Sequence, residues 1–199
     1  MAGAFPISSA KFGTLGIKSN QTTILSKSLS GKKLARQLDN QRWSFTVQII
    51  TAKRSDVYGD LMAFILKQRS GKENFTIVPP EIEDARGTAS GTPNGTASAG
   101  ATSITLGGSG TGTLKAGDFI KFANHNKVYM VVADQNDIST GSLTIEPPLT
   151  TAVSSSDIQY DNVPFTVHLT NDMQQFGVSG ADKDGNLYYE YQFDVEEAL

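Results

Sequence analysis

The chain has 199 residues, 38% of them apolar and 19% charged, and no cysteine. That composition belongs to a soluble globular protein of one or two small domains, with no run approaching the roughly 18 apolar residues of a membrane span, and it excludes disulfides, thiolate nucleophiles and thiolate metal sites. The net charge of −3 hides a split: residues 1 to 72 carry twelve Lys and Arg against three acids, or +9, and the remainder carries five basic residues against seventeen acids, or −12.

The opening MAGAFPISSAKFG lacks a basic start followed by an apolar run, so no secretory signal is expected and synthesis in a cytosol follows. TILSKSL and KKLARQL read as two strands joined around Ser30 and Gly31, and Asp39-Asn40 supplies the next turn. In RWSFTVQI, residues 42 to 49, Trp43, Phe45, Val47 and Ile49 alternate with Arg42, Ser44, Thr46 and Gln48, the pattern of a half-buried strand. Three antiparallel strands in succession are the natural outcome. Residues 55 to 69 change period, with Val57, Leu61, Phe64 and Ile65 on one helical face, Ser55 as expected N-cap and Gly71 as expected stop. NFTIV is a short strand ended by Pro79-Pro80.

Residues 86 to 112 hold eight glycines and no aromatic residue, which predicts a linker with one short strand near 103 to 106, its residues 86 to 100 mobile or ordered only by assembly. Beyond it AGDFIKF, KVYMVVA, SLTIEPPL and SSSDIQY have the spacing of strands in a small β-sandwich or barrel. The chain closes with PFTVHLT and YYEYQFDVE, whose one-sided aromatic pattern matches that of 42 to 49. They are expected to complete the N-terminal sheet, with a turn at Asp184-Gly185 between them. The fold class that results is α+β, mainly β: a sheet or β-barrel-like domain of residues 1–83 and 161–199 with one packed helix, and an inserted Gly/Thr-rich linker and small β-module at 84–160.

Residues capable of catalysis are few. His125 sits in an Asn-flanked turn and His168 on the polar side of a strand, and no GxSxG or HExxH spacing occurs. GGSGTGT at 107 to 113 lacks the GK[ST] ending of a phosphate loop and opens no helix. DKDGN at 182 to 186 starts like a calcium loop, but Leu187 and Phe193 stand where that loop needs Gly and Glu, so a hairpin turn is the better account. Glu81 and Glu83, and Glu196 and Glu197, read as solvated charge. No catalytic, cofactor-binding or metal residue is assigned, and no cofactor is expected. The charge split leaves two readings open: head-to-tail contact between copies, or neutralisation inside one folded chain. Aromatic residues of the basic half fall where a core needs them, which disfavours a specific nucleic-acid surface.

The order SGKKLARQLDNQRWSFTVQI, then a helix ending LMAFILKQRSGKENFTIVPP, resembles the N-terminal part of bacteriophage tail-tip proteins of the distal-tail and baseplate type, on Trp43, Phe64, Gly71, Phe75 and Pro79. The insertion leading to LKAGDFIKFANHNKVYMVVAD and the ending YYEYQFDVEEAL are similar to a β-module and closing strand of phage tail proteins. The resemblance implies a structural, non-enzymatic virion protein of the tail, made in the host bacterial cytoplasm. It implies a homo-oligomeric ring, commonly six-fold, that joins the tail tube to the tip or baseplate proteins, with no membrane partner. Lys32, Lys33 and Arg36 are the candidate assembly interface. The alternatives are a tail-terminator or neck ring, or a carbohydrate-binding β-module.

Overall fold

The computed structural model of the chain describes residues 3–6, 11–38, 41–80 and 82–199. In chain order its elements are β1 (Phe12–Asn20), β2 (Thr23–Lys27), β3 (Lys33–Gln37), β4 (Arg42–Lys53), a π-helical turn (Arg54–Tyr58), α1 (Gly59–Lys67), a 3-10 turn (Ser70–Lys72) and β5 (Phe75–Ile77). There follow β6 (Pro93–Ala97), β7 (Ser103–Gly108), β8 (Phe119–Phe122), β9 (Val128–Val131), β10 (Ser142–Glu146), β11 (Val153–Gln159), β12 (Phe165–Leu169), β13 (Gly177–Ala181) and β14 (Leu187–Glu197).

The alternation of 42 to 49 becomes the inner strand of an antiparallel sheet ordered β1-β4-β14-β12-β5, with β13 alongside β14. β14 runs against β4 from Tyr188 opposite Lys53 to Glu196 opposite Ser44. The C-terminal strands therefore complete the N-terminal sheet. Trp43, Phe45, Val47 and Ile49 share one core with Phe165, Val167, Tyr191, Phe193 and Val195, and α1 covers it with Leu61 and Ile65. Phe45 meets Phe165 edge-on at 4.8 Å between ring centroids, a favoured aromatic geometry.

Several local expectations are corrected. β3 pairs with β2 alone, in a separate two-stranded sheet, and the strand beside β4 on that side is β1. β1 was hidden because Gly13 and Gly16 interrupt any alternation in FGTLGIKSN. The expected turn at Asp39-Asn40 lies outside the described residues. Ser55 does not cap a helix: its hydroxyl donates to Asp56, and a π-helical turn precedes α1. The stop comes at Arg69 and Ser70, both with left-handed backbone (φ 53° and 60°), before Gly71. The Asp184-Gly185 turn joins β13 to β14, whereas β12 reaches β14 by pairing with its end, Val167 opposite Glu197.

The glycine-rich run is the largest correction. β6 and β7 form a hairpin in it, from Pro93 opposite Gly108 to Thr96 opposite Thr105, and both are staves of a closed barrel ordered β10-β7-β6-β11-β8-β9. The expected linker thus supplies two of the six staves of the barrel wall. Glycine serves close packing here. A Cβ on Gly95 would lie 2.7 Å from Ile104 and 2.9 Å from Phe122, in the barrel core. Gly112, at φ +89°, passes so near the Thr88 carbonyl that a Cβ would stand 2.1 Å from its oxygen. Ile104, Leu106, Phe122, Tyr129 and Ile145 supply the buried apolar surface that offsets the ordering entropy. β5 and β12 pair with each other, and all six staves lie between them in the sequence.

Candidate functional site: a projecting hairpin and a buried junction

The β2–β3 hairpin runs in register from Thr23 opposite Gln37 to Lys27 opposite Lys33, closed by Ser28 to Lys32 with Gly31 at φ +80°. Every residue of both strands is exposed. Strand alternation places Leu25, Lys27, Lys33 and Ala35 on one face, and Ile24, Ser26, Leu34 and Arg36 on the other. Each face therefore mixes apolar and basic side chains in solvent. Of the candidate interface residues, Lys32 lies in the turn, while Lys33 and Arg36 point to opposite faces, and none of the three joins an ion pair among the described residues. A lone two-stranded hairpin is marginal in water, so this one lacks the packing that would make it stable by itself.

The edge of the main sheet is also open. β1 bonds to β4 on one side, and no described strand bonds its other side. Beside it runs a groove of about 360 Å³ lined by Leu15, Ile17, Pro80 and Ile82 among others. Lys18 is the single charge on this nine-residue edge, which is little protection against pairing with another chain.

The charge split is not a separation of two folding units. β4, from the basic part, lies against β14, from the acidic part, and Lys53 meets Asp182 at 3.1 Å and Arg42 meets Glu196 at 3.9 Å. Hydrogen bonds from Asn186, joined by Lys53, hold the Asp182 carboxyl well below the usual carboxylate range, which fixes the hairpin turn that DKDGN suggested. Part of the split is thus neutralised internally, and the unpaired positive charge of the hairpin remains.

Where the barrel meets the sheet, Trp43 donates its indole N–H to the Val128 carbonyl at 2.9 Å and sets its ring edge-on to Phe119. Beside it Lys127, 1% exposed, donates from Nζ to the Gln41 carbonyl at 3.0 Å, to Gln41 Oε1 at 2.5 Å and to Glu197 Oε2. Glu197 is wholly buried and accepts from the Val128 N–H at 2.8 Å and the Trp43 N–H at 3.2 Å. Burial pushes the Lys127 pKa down, and Glu197 opposes it. Reading Glu197 as solvated charge is therefore wrong. The signal was present in the alternation itself, because Tyr191, Phe193, Val195 and Glu197 share one strand face. Of the other acidic pair, Glu81 lies outside the described residues, and burial followed by the charge of Asp84 raises the Glu83 pKa.

His125 stacks on Phe122, and its nitrogens sit 2.7 Å from Asn124 Oδ1 and 2.8 Å from the Tyr129 hydroxyl. Burial and then Lys121 lower its pKa. Both ring nitrogens are thus engaged in holding the β8–β9 turn. Gly107 and Gly108, in the run that resembled a phosphate loop, close β7, and Gly108 and Gly110 pack on Thr92, Pro93 and Asn94. Among the described residues no three His, Cys, Asp or Glu side chains gather as metal ligands, and no helix is long and apolar enough to cross a membrane.

No curated protein matches the chain. Residues 83–163, which contain the whole barrel, match the family model described as distal tail protein pb9, B domain. The match falls on the module that the tail-protein resemblance singled out, and the proteins of that family are structural. The match, over 81 of the 199 residues, supports reading the chain as a distal-tail-type phage protein.

Proposed function

We propose that this protein forms a homo-oligomeric ring that joins the tail tube to the tail tip or baseplate, with the β2–β3 hairpin as the arm that engages the neighbouring copy. The observation that carries the reading is the hairpin itself, exposed on both faces, bearing Ile24, Leu25 and Leu34 in solvent and four cations, Lys27, Lys32, Lys33 and Arg36, without ion-pair partners among the described residues. A contact with a neighbour would cover its apolar side chains and pair its charge with the acidic surface. The open β1 edge supports the same reading, since an unprotected edge in a stable protein calls for cover.

Reversing Lys32, Lys33 and Arg36 to glutamate tests it, with assembly followed by light scattering and particle imaging. The expected result is loss of ring formation with the fold intact by circular dichroism. Normal incorporation into particles, with an unchanged salt response, would remove the hairpin from the interface.

A further inference from the structure

The Lys127, Gln41 and Glu197 cluster has more chemistry than an ion pair uses. A primary amine, a carboxamide and a carboxylate meet in one buried site, with Gln41 only 5% exposed. The Gln41 amide is oriented on both sides: Nε2 donates to Ser19 Oγ at 2.9 Å, which turns Oε1 toward Lys127. With Nζ 2.5 Å from Oε1, and a C=O bond of about 1.2 Å, the Gln41 carbonyl carbon is at most about 3.7 Å from the amine, at the edge of near-attack range. Glu197 touches the same amine and is held by two backbone N–H groups, so it stands where a proton acceptor is needed.

We propose that Lys127 and Gln41 form an intramolecular isopeptide bond, with Glu197 as proton shuttle, which ties the barrel covalently to the main sheet. In the step, Glu197 takes a proton from the Lys127 ammonium, and the freed amine attacks Cδ of Gln41. The new Nζ–Cδ bond replaces the Cδ–Nε2 bond. Glu197 returns the proton to the departing nitrogen, which leaves as ammonia, and then takes the second proton that Nζ must shed, so the new amide is neutral. No oxidant, reductant or co-reactant is consumed. Desolvation of Lys127 favours its neutral, nucleophilic form. The bond spans two segments 86 residues apart in sequence, one on each side of the junction.

The test is the intact mass of the full-length purified chain, denatured before measurement, followed by peptide mapping. The expected result is a chain lighter by one ammonia, with a branched peptide joining the segments around Gln41 and Lys127. Glu197→Gln and Lys127→Met variants should each keep the full mass. The wild-type measurement is decisive even if a variant fails to fold. Full mass in the folded wild-type protein after days at room temperature would overturn the proposal. So would an ammonia loss that maps to Asn94-Gly95, the succinimide-prone step of the barrel, with no branched peptide.

Discussion

At the scale of the residue, the junction shows how a charge deep in a protein is tolerated: each polar atom of Lys127 and Glu197 has a partner. Removing one partner leaves the other buried and uncompensated. Relative to chains in which Gln41 and Lys127 are not yet joined, Lys127→Met should therefore lower unfolding stability by about 3–5 kcal/mol, and adding Glu197→Leu should recover much of that loss. Chemical denaturation of the two variants checks this, and an additive loss in the double variant would contradict it. Gly95→Ala is the corresponding test in the barrel, since its methyl would meet Ile104 and Phe122 below contact distance. A loss of about 1–3 kcal/mol is expected from overpacking. Tyr58 supplies a pH dependence. Burial pushes its hydroxyl up to about 12, above its ordinary value of 10, while it donates to the Ile50 carbonyl at 3.1 Å. The folded state thus favours the neutral phenol. Its contribution is complete below pH 10 and is lost as pH rises toward 12, so alkaline unfolding should begin in that window and weaken in Tyr58→Phe. Circular dichroism against pH measures it.

At the scale of the element, the hairpin and the barrel make opposite demands on their residues. The hairpin contributes nothing to either core, so replacing residues 23 to 37 with a short turn should leave the melting transition nearly unchanged while abolishing assembly. A large drop in stability on that deletion would show that the arm packs on its own chain. The barrel should resist protease across 86 to 112, contrary to what glycine content alone suggests. Strict alternation made β4, β12 and β14 legible in the sequence, because a half-buried strand writes burial directly into residue order. α1 was legible from its period, although its start was not, since the π-helical turn has no capping signature. Where glycine admits close backbone approach, as at Gly95 and Gly112, the same residue that reads as flexibility serves packing, and local composition does not distinguish the two. The polar junction was missed for a related reason. Glu197 stands near the chain end in sequence, and its partners, Gln41 and Lys127, are brought to it only by the tertiary fold.

At the scale of the whole molecule, the sheet places β4 between the first strand, β1, and the last, β14, and the barrel is inserted between two strands that pair. A rigid sheet with an open edge and a projecting basic arm suits repeated, head-to-tail contact, which closes into a ring when the rotation between copies permits. Electrostatic contacts between exposed groups are screened over about 8 Å at physiological salt, so assembly through the arm should weaken as salt rises while its apolar part persists. The most direct measurement is electron microscopy of the purified full-length protein at low salt and at concentrations that favour assembly. The account predicts closed rings in which each β2–β3 hairpin lies against a neighbouring copy. Monomers with the hairpin free in solvent under the same conditions, or rings in which the hairpin touches no neighbour, would contradict it.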